Sequence, residues 1–144
     1  MTLRDLLRGR QILAVQKDWT VKQALSLMHR HHLTAVAVVS NDQFVGLFTR
    51  RDLISRVVSK QLNPATTPVG KVMCEKMRFV QSDAPCRQFL ELLEMDEHQH
   101  LLVVEGNRLV GILTAREILK CVQRQKLAEK RYAELIREVR DNRN

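Results

Sequence analysis

Apolar and polar positions along this chain follow one short programme that is played twice. A brief apolar stretch, Ile12 to Val15, reads as a strand. Thr20 then opens a segment in which Val21, Ala24, Leu25 and Met28 recur at helical spacing. Gln23, three residues after Thr20, completes a capping box. The run Val36 to Val39, the turn Ser40-Asn41-Asp42-Gln43 and the run Phe44 to Phe48 predict a hairpin, followed by a helix from near Thr49. The second passage has Cys86, Phe89, Leu90 and Leu93 at helical spacing, with Asp83 or Ala84 as cap and Pro85 in the first turn. Its hairpin runs from Leu101 to Val104, turns at Gly106-Asn107 and returns from Leu109 to Leu113, and a helix starts near Thr114. The order strand, helix, strand, strand, helix therefore occurs twice.

Shifting the chain by 65 residues brings the two passages into register without a gap. Thr2 falls on Thr67, Val15-Gln16 on Val80-Gln81, Val45-Gly46 on Val110-Gly111, and Thr49 on Thr114. Residues 2–57 contain 14 such identities. Two copies are too few for a solenoid, which needs three or more. They suit an α/β fold of two β-α-β-β-α repeats related by a pseudo-twofold axis, at 1–65 and 66–122, plus an amphipathic C-terminal helix at 123–144. Gln61 to Pro68, with Pro64 and Pro68, is the linker.

Composition narrows the function. With 144 residues, 44% hydrophobic and 4% aromatic, the chain can build one compact core or two small ones from Leu, Val, Ile and Met. It shows no membrane-length apolar run and no signal-peptide pattern. Cys74, Cys86 and Cys121 are an odd number without C-x-x-C spacing, which points to a reducing cytoplasm. The net charge of +8 is uneven: +6 over residues 1–65, −2 over 66–119 and +4 over 120–144. A basic surface could serve nucleic acid, but the scarcity of aromatics for stacking bases argues against it.

Each hairpin runs into the same motif. The copies are Gly46-Leu47-Phe48-Thr49-Arg50-Arg51-Asp52 and Gly111-Ile112-Leu113-Thr114-Ala115-Arg116-Glu117. The motif crosses from a strand end into a helix start, where free N–H groups favour an anion. A Thr hydroxyl can bond phosphate or sugar, an Asp three residues on can accept from a ribose diol, and Gly46 leaves room for a ligand to approach the backbone. Thr-x-x-Asp and Thr-x-x-Glu are equally capping boxes that need no ligand.

Motif and repeat together resemble the CBS-domain family, named after cystathionine β-synthase, over residues 1–122. The resemblance implies a tandem pair (a Bateman module) with two clefts that bind AMP, ADP, ATP or S-adenosyl compounds and regulate an attached or partner protein. No cofactor is implied for catalysis. It further implies that Asp52 holds the ribose and Thr49 reaches ribose or phosphate, with Val15, Gln16, Thr20 and Ala37 as walls. In the second copy the corresponding residues are Thr114, Glu117, Val80, Pro85 and Leu102. Glu117 departs from the family's Asp, displacing the carboxylate by about one bond length. Arg50, Arg51 and Arg30 lie near the first motif and Arg116 in the second; the Arg fork suits phosphate. If one cleft is occupied, it is the one served by Thr49 and Asp52.

Five histidines are candidate ligands. His29 and His32 lie one turn apart, and His98 and His100 alternate, but no Cys or acid completes a metal set, so none is expected. His31, His32 and His98 are candidate phosphate contacts at helix-to-strand corners implied by the family. No nucleophile–base constellation is recognisable, so an enzyme is not expected. In the tail, Ala128, Tyr132, Leu135 and Val139 follow 4-3-4 spacing beside Ile136. The stripe packs on its own module or pairs with another copy, and a homodimer is expected. The leading expectation is a sensor that signals to a partner protein whose identity the sequence does not specify. The alternatives are a ligand-free docking module and a basic nucleic-acid binder.

Overall fold

The computed structural model describes residues 1–90 and 100–142. Leu93 of the expected helix and the candidate phosphate contact His98 lie outside the described residues. The chain divides into two compact units, Gly9–Arg78 and Met1–Arg8 with Phe79–Asn144. In each, a three-stranded sheet carries helices on one face.

The first unit holds β1 (Ala14–Gln16), α1 (Val21–Arg30), β2 (Ala35–Ser40) and β3 (Gln43–Thr49). α2 (Arg50–Asp52) continues directly into a π-helical segment, Leu53–Val58. β1 runs parallel to β2, and β2 pairs antiparallel with β3. Asn41 and Asp42 both take positive φ, 52° and 60°, which a two-residue hairpin turn demands and short polar side chains tolerate. Val15, Val21, Ala24, Met28, Val36, Val38, Phe48 and Val57 form the core. Thr20 caps α1 as expected: its hydroxyl accepts from the Gln23 N–H at 3.2 Å, and Gln23 Oε1 accepts from the Thr20 N–H at 2.9 Å.

The second unit repeats the sheet with β4 (Arg78–Gln81), β5 (His100–Glu105) and β6 (Arg108–Thr114), in the order β4-β5-β6. Both hairpins shift register at the same repeat position, between Val38 and Val39 and between Val103 and Val104. Leu101, Val103, Leu113, Ile118 and Val122 make the core here. A helical stretch, Leu3–Leu6, belongs to this unit. Its Leu3 N–H donates to Ala84 O at 3.0 Å and its Arg4 N–H to Ser82 O at 2.9 Å. The short Val69–Lys71 turn does the equivalent in the first unit, where the Val69 N–H donates to Trp19 O at 2.7 Å. The segment leading into each repeat thus packs on the sheet of the other repeat.

One expectation is corrected. Pro85 stands at the N-cap with extended backbone, φ −66° and ψ 139°, and not in the first turn. A bridge to Thr2 holds it extended, so a 3-10 turn begins only at Cys86–Phe89. The helix beginning after Thr114 includes the C-terminal helical stretch expected beyond residue 122. α3 runs unbroken from Ala115 to Asp141, joining the last repeat helix to the tail. Among the described residues no helix is long and apolar enough to cross a membrane.

Candidate functional site

Strand pairing decides which side chains share a face. Ala35 lies opposite Thr49 and Ala37 opposite Leu47, while Val36, Val38 and Phe48 alternate into the core. Gln16 pairs with Val39 in the parallel ladder and so lies on the same face as Ala37 and Thr49. Val15, one residue earlier, is in the core cluster and points the other way. Thr20 is committed to capping α1.

At the end of β3 the motif closes on itself. Thr49 and Asp52 are only 8% and 6% exposed. Asp52 Oδ2 accepts from the Thr49 N–H at 2.9 Å and from the Thr49 hydroxyl at 3.0 Å. In return, the Asp52 N–H donates to the Thr49 hydroxyl at 3.2 Å. The second carboxylate oxygen, Oδ1, lies 3.6 Å from Arg56 Nε. Arg56 was not singled out from sequence, although its position four residues after Asp52 on a helix is the spacing at which such pairs meet. Its Nη1 also donates to Met73 O at 2.7 Å, so the guanidinium ties the π-helical segment to the chain just after the Val69–Lys71 turn.

Gly46 plays a different part from the one expected. A Cβ there would collide with Met73 Sδ and crowd Cys74 O at 3.1 Å. The chain itself fills the space, and Leu47 and Cys74 exchange backbone hydrogen bonds across it, 2.9 and 2.7 Å. Gly111 is occupied likewise, by Leu7. The glycine of the motif therefore admits the leading segment, not a ligand.

In the second motif, the Glu117 N–H donates to the Thr114 hydroxyl at 3.1 Å, and that hydroxyl donates to Glu117 Oε1 at 3.3 Å. Both residues are half-buried, unlike their counterparts. Thr114 lies opposite His100, and Leu102 opposite Ile112, on the face away from the core. Val80 packs against that core, Pro85 is exposed, and Arg116 is exposed on α3. Nearby, Arg4 Nε bonds Glu105 Oε1 at 2.9 Å and the Ser82 hydroxyl donates to the same oxygen at 3.0 Å. These two donors hold the Glu105 carboxyl below the usual carboxylate range.

Arg50 and His32 come together elsewhere in the first unit. With His29, Leu25, Met28, Leu33, Leu53 and Ile54 they line an open depression of about 430 Å³ between α1 and the π-helical segment. Neither Thr49 nor Asp52 lines it. Arg51 and His31 are exposed, and neither lines this depression. Among the described residues, no group of three or more His, Cys, Asp or Glu is placed to hold a metal.

Comparison with protein families finds the CBS domain twice, at residues 3–59 and 69–124. The chain is 32% identical over 117 residues to CBS domain-containing protein CBSCBSPB1 of Arabidopsis thaliana, covering 81% of this chain and 21% of that protein. It thus spans about a fifth of that relative's length. It is 25% identical over 120 residues to Hypoxic response protein 1 of Mycobacterium tuberculosis, covering 83% of each. Among solved structures, a putative signal-transduction protein with CBS domains from Burkholderia ambifaria superposes with a TM-score of 0.77 at 28% identity. That match covers 85% of this chain and 93% of the other.

Proposed function

The chain belongs to the CBS-domain family, with two CBS domains in tandem, and from that premise we propose that it is a regulatory module binding an adenine nucleotide at Thr49 and Asp52. The observation that carries this reading is a carboxylate buried where a neutral cap would serve. The cap of α1 uses Gln23 at an exposed position. The cap of α2 uses an acid that is 6% exposed, and a charge taken out of water costs several kcal/mol unless it is well paired. The capping box occupies one oxygen of Asp52. Among the described residues the other faces Arg56 Nε at 3.6 Å, and a ribose diol could donate to it. Arg50 and Arg51 add positive charge at the helix start, where a phosphate would sit. Gln16 and Ala37, on the face that carries Thr49, are the proposed adenine walls.

The second motif is proposed as the weaker site. His100 and Leu102 stand where the first repeat has Ala35 and Ala37, and Glu117 carries the longer side chain. Occupancy would shift the module between packings, and a partner protein would read the difference. The likeness to a putative signal-transduction protein supports that role. We also propose that the module works as a pair of identical copies.

A second reading has support of its own, because the Thr49–Asp52 box is complete without a ligand. The module would then be a docking element with the motif as a cap. Thermal unfolding with AMP, ADP, ATP, S-adenosylmethionine and NADH separates the two. A ligand at a hundred times its Kd stabilises by about 2.7 kcal/mol, a clear rise in midpoint. No rise with any of the five supports the docking element.

A further inference from the structure

The outer half of α3 presents an apolar seam that its own unit leaves uncovered. Ile118, Cys121, Gln125, Ala128, Tyr132, Leu135 and Val139 alternate three- and four-residue steps, a heptad pattern with 118, 125, 132 and 139 at one core position and 121, 128 and 135 at the other. Ile118 and Cys121 are buried in the core of their unit. Beyond them the seam emerges: Tyr132 is 68% exposed, Leu135 60% and Val139 52%, with Ile136 alongside. The CBS match ends at residue 124, so this seam lies outside what the domain itself needs.

We propose that the seam is covered by the same helix of a second copy, in an antiparallel coiled coil. This deepens the pairing part of the reading above and is independent of its nucleotide part. Charge selects the occupant and its direction. When Tyr132 layers on the partner's Leu135, Ala128 layers on the partner's Val139, so large residues meet medium ones and small ones meet branched ones. That register sets Arg131 beside the partner's Glu138, and the twofold axis makes the pair twice. It brings no like charges together. A parallel pair would stack Tyr132 on Tyr132 and Ala128 on Ala128 and set Arg131 against an isoleucine. One of its two favourable flanking pairs would need Glu129, which already meets Arg87 at 3.5 Å within its own unit. Lys and Arg at 124, 126, 130, 131, 137 and 140 alternate with acids at 129, 134, 138 and 141. Such mixed flanks fit a second copy better than a membrane surface. The overlap, residues 125–142, would span about 27 Å at 1.5 Å per residue.

Sedimentation equilibrium tests this with Arg131→Glu and the double variant Arg131→Glu/Glu138→Arg. These exposed positions leave the folded units intact, which circular dichroism checks. The single variant should weaken self-association by about tenfold, and the double variant should restore it to within about threefold. Only the antiparallel register couples these two positions. A monomeric wild type at all concentrations would overturn the proposal. So would an Arg131→Glu variant that pairs normally, or a double variant that fails to recover.

Discussion

The Thr49 hydroxyl donates to the Asp52 carboxylate at 3.0 Å, and the Asp52 N–H returns a bond to that hydroxyl at 3.2 Å, in a site almost closed to water. Local stability and the proposed ligand site thus use the same two side chains, and the variants must separate the roles. Asp52→Ala removes the acceptor of two bonds and should cost about 1–2 kcal/mol in chemical denaturation, the range of a lost cap. Asp52→Asn keeps an acceptor oxygen and should cost less than half of that.

Gly111 and Leu7 make a second testable contact. A methyl on Gly111 would collide with the Leu7 side chain, so Gly111→Ala should destabilise by about 1–3 kcal/mol. Leu7→Ala in the same chain should recover part of that loss. Additive losses in denaturant melts would mean that Leu7 does not occupy the space above Gly111.

Thiol chemistry should differ sharply among the cysteines. Burial, then the neighbouring Cys121, pushes the Cys86 thiol from its ordinary 9.0 up to about 12, whereas Cys74 is half-buried. At pH 8 a thiol reagent should modify Cys74 in the native protein and reach Cys86 only after unfolding, as peptide mass mapping would read. Because the folded pKa is raised, the folded state favours the neutral thiol. Its contribution to stability is complete below about pH 9 and falls as pH rises towards 12. Rapid native labelling of Cys86 at pH 8 would contradict the burial.

Acid should loosen the Leu3–Leu6 helix first. Bonds from Arg4 and Ser82 lower the Glu105 pKa, and bonds from Thr2 lower that of Asp5. A lowered folded pKa contributes stability above the unfolded value, and that stability is lost as pH falls through the folded one. Hydrogen exchange at the Leu3 and Arg4 amides, which bond Ala84 O and Ser82 O, should lose protection as pH drops below the carboxylate range. Glu105→Gln should flatten that dependence.

Much of this architecture can be read from local pattern. The hairpins, the Thr20–Gln23 cap and the helix starts after Thr49 and Thr114 rest on short-range chemistry, and they stand where periodicity and turn residues put them. The 65-residue repeat reappears as matching register shifts at Val38 and Val103. What escapes a sequence reading depends on distant segments. Gly46 looks like an opening for a ligand until Met73 and Cys74 arrive over it, and Pro85 looks like a first-turn residue until Thr2 bridges to it. Val15 and Gln16 look alike as candidate walls, since only strand pairing shows that they face opposite ways. The Asp52–Arg56 pair carried a signal in its spacing, but Arg56 lies beyond the motif that drew attention.

The most direct test of the central claim is calorimetric titration of AMP into the wild-type chain and into Asp52→Asn, whose cap survives. The account predicts saturable binding to the wild type and an affinity lower by about tenfold or more in the variant, the loss of a charged hydrogen-bond acceptor for the ribose. Equal affinity in the two proteins, or no binding to the wild type, would contradict it and leave Thr49 and Asp52 as a helix cap.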